Sequence, residues 1–239
     1  MSKISVITTV YNAQNDILNA VKSVINQSFK NFEYLIIDDG STDNTFNLLK
    51  TIKDKRVKIH KIGKVGRAKA LNFGLKKAKG DYISILDADD TFHFRKLELQ
   101  LNKILSLNHV KIISCNSSIL NEQGVQIGFF KTKTFHQDIL FQLLKMNPFP
   151  HSSVFYEKIA ALKVGGYNER CEKSIDFNFY LDLINKGYKF HGLTKNLLGF
   201  KLNSSSWSKS DNCGLQLQYA MIGLINYYQL QANLEGILT

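Results

Sequence analysis

Tyr82-Ile83-Ser84-Ile85-Leu86-Asp87-Ala88-Asp89-Asp90 decides the reading of this chain. An apolar run of strand type ends there in three carboxylates within four residues. Crowding acids at the end of a buried strand costs stability through desolvation and mutual repulsion. A cation or a hydroxyl-rich ligand relieves that cost, and hard divalent cations prefer oxygen ligands of this kind. In open α/β sheets the carboxyl ends of strands are also where ligands bind. The segment therefore predicts a metal-assisted site for a phosphorylated or polyhydroxylated ligand, carried by Asp87 and Asp89. Asp90 or Thr91 is expected to do no more than cap the helix that follows.

Working outward, Ile4 to Thr8, Phe32 to Ile37, Val57 to Ile62 and Val110 to Ser114 read as further strands. Between them, apolar residues recur at helical spacing: Ile17, Val21, Val24 and Ile25; Phe46, Leu48, Leu49 and Ile52; Ala70, Leu71, Leu75 and Ala78; Leu97, Leu101, Ile104 and Leu105. Strand-helix alternation with short links predicts an α/β fold, a mostly parallel sheet covered by helices on both faces. Beyond about residue 115 the pattern changes. Ile119 to Phe130 predicts a hairpin with Gly124 in its turn. Helices are expected from His136 to about Met146, before Gly165-Gly166-Tyr167, and from Asp176 to Lys186, with Pro148 and Pro150 bracketing a rigid bend. The apolar, aromatic stretch Leu215 to Leu230 is expected to pack on the body as an amphipathic segment.

At 239 residues and 44% hydrophobic content the chain can bury a sizeable core. Thirty-one Lys and Arg against 20 Asp and Glu give a formal charge of +11, which suits an anionic partner such as a nucleotide, a lipid phosphate or a membrane surface. No basic block with interleaved aromatics speaks for nucleic acid. Cys115, Cys171 and Cys213 lack metal-type spacing and read as reduced cytosolic thiols. Neither a signal peptide nor a membrane-spanning run of about 18 apolar residues is expected.

A second acidic pair, Asp38-Asp39, follows the second strand and precedes Gly40-Ser41-Thr42-Asp43. One of the pair could organise the turn. Thr8-Thr9-Val10-Tyr11-Asn12 ends the first strand with hydroxyls and an aromatic face. An aromatic ring, an acid for base or ribose and an acid for a metal together describe a nucleotide-diphosphate pocket. Neither a Gly-x-x-x-x-Gly-Lys-Ser/Thr loop nor a Gly-x-Gly-x-x-Gly turn is present, so a metal held by acids is the expected grip on phosphate.

Four segments in order resemble the nucleotide-binding half of family 2 inverting glycosyltransferases with the GT-A fold, of the bacterial polysaccharide-assembly type. They are Val6 to Asn12, Ile36 to Asp43, Gly66 to Leu75 and Leu86 to Asp90. The resemblance implies a GT-A fold, a Rossmann-like sheet with an acceptor-binding C-terminal half. It implies a donor half over 1–115, an acceptor-binding and catalytic-base half over 116–210, and a C-terminal segment over 211–239, one continuous domain plus tail. It further implies that Thr9, Tyr11 and Asp39 hold the base, with Asp39 at the uracil edge. Asp87 would touch ribose, and Asp89 would bind the Mn²⁺ or Mg²⁺ that bridges the diphosphate. Asn72 and the small residues around it are read as shaping a helix against the sheet; Arg67 or Lys69 could reach phosphate, with solvent exposure the favoured reading.

Asp176, in Ser174-Ile175-Asp176-Phe177, falls where the resemblance places the general base. Spacing alone would make it a helix N-cap. Two departures stand out: Ile175 where the family commonly has Glu, and Lys201 and Asn203 where many members carry Arg and His. Lys201 can still face a diphosphate, and Asn203 can ligate only weakly. His151 is equally readable as an acceptor-site group or a structural histidine. The expected function is transfer of a sugar, with inversion, from a nucleotide diphosphate, UDP favoured, to a glycan or lipid-diphosphate-linked acceptor at the cytoplasmic side of the membrane. A non-catalytic nucleotide-sugar-binding subunit and a sugar nucleotidyltransferase are the rivals.

Overall fold

The computed structural model describes residues 3–202 apart from 144, 145 and 172. Asn203, Cys213 and the 211–239 segment lie outside the described residues. The chain opens with β1 (Ile4–Val10), α1 (Ile17–Ile25), β2 (Phe32–Asp38), α2 (Thr45–Lys50), β3 (Val57–Lys61), α3 (Arg67–Lys77) and β4 (Tyr82–Ile85). These strands pair in parallel in the order β3-β2-β1-β4. β2 is buried along its whole length and is apolar without a break from Tyr34 to Ile37.

The second half follows as β5 (Thr91–Phe92), α4 (Lys96–Leu105), β6 (Val110–Leu120), β7 (Gln126–Phe130), α5 (His136–Leu143), a 3-10 turn at His151–Ser153, β8 (Phe155–Glu157), α6 (Lys158–Lys163), α7 (Ile175–Asn185) and β9 (Lys189–Lys201). The full order is β3-β2-β1-β4-β8-β6-β9-β5, with β7 on β6. β8 runs antiparallel between β4 and β6 and so joins the two halves. Residues 115 and 116 are consecutive positions in β6, whose register with β9 shifts between them.

Two apolar layers sandwich the sheet. One packs α1, α2 and α4 on one face; the other packs α3, α5, α6 and α7 on the opposite face. In the second layer α3 lies very close to β1, because a Cβ at Gly74 would stand 2.7 Å from the Ile7 Cγ2 atom. Gly66, with φ of +93°, turns the chain into α3 in a conformation that suits glycine. Together these two glycines fix where the first residue of the helix, Arg67, is placed. Asp90 is not a helix cap. α4 begins six residues later at Lys96, and the short strand β5 intervenes.

Candidate functional site

The carboxyl ends of β1, β2 and β4 converge on two loops rich in acids. At the end of β2 the paired acids divide their work. Asp38 accepts the Ser41 amide at 2.9 Å and so holds the turn. Asp39 accepts the Val65 amide at 2.7 Å on one oxygen and the Gly66 amide at 3.0 Å on the other. It thereby pins the loop that leads into α3, while each oxygen keeps a second lone pair. Tyr11 stands partly open beyond β1. Lys64 Nζ sits 4.3 Å from its ring centre and donates to its hydroxyl at 3.0 Å. Thr9 is half-buried at the same strand end, opposite Ile37. Asn12, with φ of +51°, accepts the Thr42 amide at 2.8 Å and ties the two loops together.

After β4 the backbone is held from the other half of the chain. The Asp87 amide donates to Ser152 Oγ at 2.9 Å. Asp90 is buried, and one of its oxygens accepts the Lys201 amide at 2.9 Å, while the other has no hydrogen-bond partner among the described residues. Burial first, then the charges of Asp89 and Asp87, push the Asp90 carboxyl well above the ordinary range. Asp89 is pushed up to about 6 by burial and then by Asp87. The loop is thus held in an arrangement that its own charges oppose, and a cation would relieve it. Among the described residues no group of three or more His, Cys, Asp or Glu forms a ready cage. An ion held there would take one or two of these carboxylates and complete its shell from phosphate and water, a common arrangement for Mg²⁺. The all-oxygen donor set fits Mg²⁺ or Mn²⁺.

Arg67 joins this loop to the second half. Its Nη2 donates to Asp87 Oδ1 at 2.6 Å and to His151 Nδ1 at 3.0 Å. Some 43% of its side chain is open to solvent, which the sequence reading expected, but the guanidinium is engaged and not idle. Burial works against its charge, and Asp87 and Asp176 more than restore it, so its pKa is raised. Because arginine can only donate, Nδ1 of His151 is the acceptor and Nε2 carries the proton. Nε2 then donates to the Tyr167 hydroxyl at 2.9 Å, which lies 3.0 Å from that of Tyr156. Burial and then the neighbouring Arg67 hold His151 down to about 4, so it is neutral at physiological pH. Of its two readings, the structure supports a hydrogen-bonded histidine buried in the wall of the site.

Asp176 lies in the first turn of α7, whose N-cap is Ser174. Its Oδ2 accepts Asn147 Nδ2 at 2.7 Å. Its charge acts on both Arg67 and His151, which brings it into the same neighbourhood as Asp87. The loop before α7 is anchored by Asn72 in α3. Asn72 Nδ2 donates to the Tyr167 carbonyl at 2.8 Å, and Asn72 Oδ1 accepts the Tyr167 amide at 2.8 Å. A Cβ at Gly166 would lie 2.5 Å from that Oδ1. The sequence reading gave Asn72 only a packing role; its two amide atoms in fact act as a backbone-like clamp between the halves. Lys201 reaches the acidic loop from β9, with its ammonium on Asp16 Oδ1 at 2.5 Å.

The Asp89 shift has a measurable sign. An unfolded Asp titrates near 3.9, so the folded state favours the protonated acid. The resulting stability is fully present below about pH 4 and is lost as pH rises through about 6. Metal-free Asp89→Asn protein is therefore expected to match wild type near pH 4 and exceed it by roughly 3 kcal/mol at pH 7. Urea unfolding of both proteins at the two pH values measures the difference.

This constellation sits on a recognisable architecture. The chain superimposes on S. aureus TarS, solved with UDP-GlcNAc, with a TM-score of 0.75 over 94% of this chain and 67% of that one, at 19% identity. It also superimposes on the mannosyltransferase PcManGT of Pyrobaculum calidifontis, solved with GDP-Man and Mn²⁺, with a TM-score of 0.66 over 99% and 81%, at 15% identity. The fold is that of GT-A glycosyltransferases. Residues 5–163 match the sequence profile of glycosyl transferase family 2, and the chain belongs to that family.

An uncharacterized glycosyltransferase of Haemophilus influenzae is 38% identical over 187 residues, 77% of this chain and 72% of that protein. The UDP-Glc:alpha-D-GlcNAc-diphosphoundecaprenol beta-1,3-glucosyltransferase WfgD of Escherichia coli is 36% identical over 129 residues, 53% of this chain and 50% of that one. An uncharacterized glycosyltransferase of Rickettsia conorii is 41% identical over 148 residues, and there the matched part is 24% of that protein's length. No described helix is long and apolar enough to cross a membrane.

Proposed function

We propose that this glycosyltransferase moves a sugar from a UDP-sugar to a hydroxyl of a lipid-diphosphate-linked glycan, inverting the anomeric centre, in bacterial surface polysaccharide synthesis. The observation that carries the reading is the meeting of two acids from different halves, Asp87 and Asp176, around the one Arg67 guanidinium. In this reading Thr9, Tyr11 and Asp39 hold the base, Asp87 meets the ribose and Asp89 holds the divalent ion. The activity for which the E. coli relative WfgD is named supports a UDP-sugar and a diphosphate-lipid acceptor. The neighbours solved with UDP-GlcNAc and with GDP-Man and Mn²⁺ support a nucleotide sugar and a divalent ion as the ligands.

When bound, the ion supplies Lewis-acid neutralisation of the leaving diphosphate. The chain's own residues do the rest. Asp176 Oδ1 accepts the proton of the acceptor hydroxyl as that oxygen attacks the anomeric carbon, while Oδ2 stays fixed by Asn147. A single attack from the face opposite the diphosphate inverts the centre. Neutral His151 does not compete for the proton; it keeps Arg67 aimed at Asp87 and the incoming phosphates. Lys201 offers a further cation at the rim of the acidic loop, and Asn203 is assigned no role. The net charge of +11 supports peripheral work at the inner surface of an anionic membrane.

Calorimetry with Mn²⁺ and each of UDP, GDP and CDP tests the donor assignment. Metal-dependent binding at least tenfold tighter for UDP is expected. Equal affinity for the three would remove the uracil role of Asp39, and no binding of any would remove the donor site.

A further inference from the structure

The β6–β7 hairpin carries a surface that the reaction does not use. Val125, Ile127 and Phe129 are 58%, 59% and 55% exposed. Residues two apart point to one face of a strand, so Ile127 and Phe129 form an apolar stripe along β7, with exposed Val125 just before its start. Phe135, a few residues on, is 67% exposed. Lys131 and Lys133 are exposed between the stripe and Phe135. From Gly124 to Gln137 the sequence contains no Asp or Glu. An apolar, aromatic stripe edged by lysines and free of acids has the chemistry that enters the headgroup region of an anionic bilayer.

Its position fits that use. Gln126 of β7 pairs with Leu120 of β6, and Leu120 pairs with Lys201 of β9. The three residues stand side by side across three strands, and the Lys201 amide binds Asp90 in the acidic loop. At about 4.8 Å per strand, the stripe starts roughly 10 Å from Lys201. A bilayer in contact with this hairpin would bring its headgroups to the rim of the acidic loop.

We propose that the exposed face of the β6–β7 hairpin, Val125, Ile127 and Phe129 with Lys131 and Lys133, docks the protein on anionic phospholipid. The proposal rests on the lipid-linked acceptor reading for its purpose, but its test does not. Co-sedimentation uses vesicles of phosphatidylglycerol and phosphatidylcholine in equal parts, and vesicles of phosphatidylcholine alone, without nucleotide or acceptor. Wild type is expected to bind the anionic vesicles at least tenfold more tightly than the neutral ones. Ile127→Ser with Phe129→Ser, and separately Lys131→Glu with Lys133→Glu, are each expected to lower that affinity about tenfold or more. Both pairs should keep the wild-type unfolding midpoint and UDP affinity, since none of the four residues touches the donor site.

Unchanged vesicle binding in both variants, or no binding by wild type, overturns the assignment. A dimer in gel filtration that the serine pair abolishes, without vesicle binding, would overturn it in favour of a second copy of the chain. Vesicle binding retained alongside failure to bind UDP would sink the donor reading and leave this one standing.

Discussion

Replacing Asp176 by asparagine is expected to lower kcat by about a thousandfold, with UDP binding and fold unchanged. The side chain is uncrowded by the change. Asparagine keeps an oxygen to accept Asn147 Nδ2, now at 2.7 Å, and its position in the first turn of α7 is outside the apolar layers. What disappears is the ability to hold a proton taken from the acceptor. A general base contributes about 10²- to 10⁴-fold, which sets the magnitude. Steady-state transfer to a glycan acceptor reads the loss, and calorimetry with UDP and Mn²⁺ reads the retained donor affinity. A variant within tenfold of wild type would leave the proton with some other group and move the base away from Asp176. The rival reading of a nucleotide-sugar-binding subunit predicts no turnover in wild type either, so the same assay separates the two.

Asp89→Ala is expected to pull stability and function in opposite directions. Burial and the Asp87 charge disfavour the Asp89 carboxylate, so its removal relieves the loop and raises the unfolding midpoint of metal-free protein at neutral pH. Metal-dependent UDP binding should fall at least a hundredfold, and kcat/KM by a thousandfold or more, because nothing else in the loop takes the place of that ligand. Opposite signs matter here. A variant that lost binding by unfolding would show a lower midpoint, whereas a lost ligand leaves a protein at least as stable as wild type. UDP affinity that survives the substitution, or that never depended on Mn²⁺, would strip Asp89 of its metal role.

The parallel half of the fold was legible because its signals are local. β1 to β4 are apolar runs separated by helices with clean inner faces, and their observed limits fall within two residues of those read from the pattern. β8 and β9 were not legible. β8 has three residues, too few for any period, and β9 interleaves Gly192, Lys195, Asn196 and Gly199 with its apolar positions. β9 is a strand because β6 offers it a ladder on one side, which no local pattern announces. The acids of the site were visible from their crowding, and Asp38 was open to its turn role from the start. The sequence admits a reach of Arg67 to phosphate, but its bridge from Asp87 to His151 was not legible, since an arginine at a helix start usually faces water. Only the close seat of Gly74 on β1 and the turn at Gly66 place it between Asp87 and His151. The Asn72 clamp was hidden for the same reason: its partner, Tyr167, is 95 residues away.

The late return of β9 also sets a timetable for folding. β5, which immediately follows the acidic loop, pairs with Leu198 and Gly199, and Asp90 waits for an amide 111 residues further along the chain. Contacts of such separation close slowly, because loop entropy must be overcome before they form. As the ribosome delivers the chain, the four parallel strands can assemble long before Lys201 emerges. The acidic loop stays loose in that interval, its charges free to separate into water. The backbone contact that fixes Asp90 therefore forms in the last stage of assembly, when the strand nearest the described carboxyl end is laid between β6 and β5.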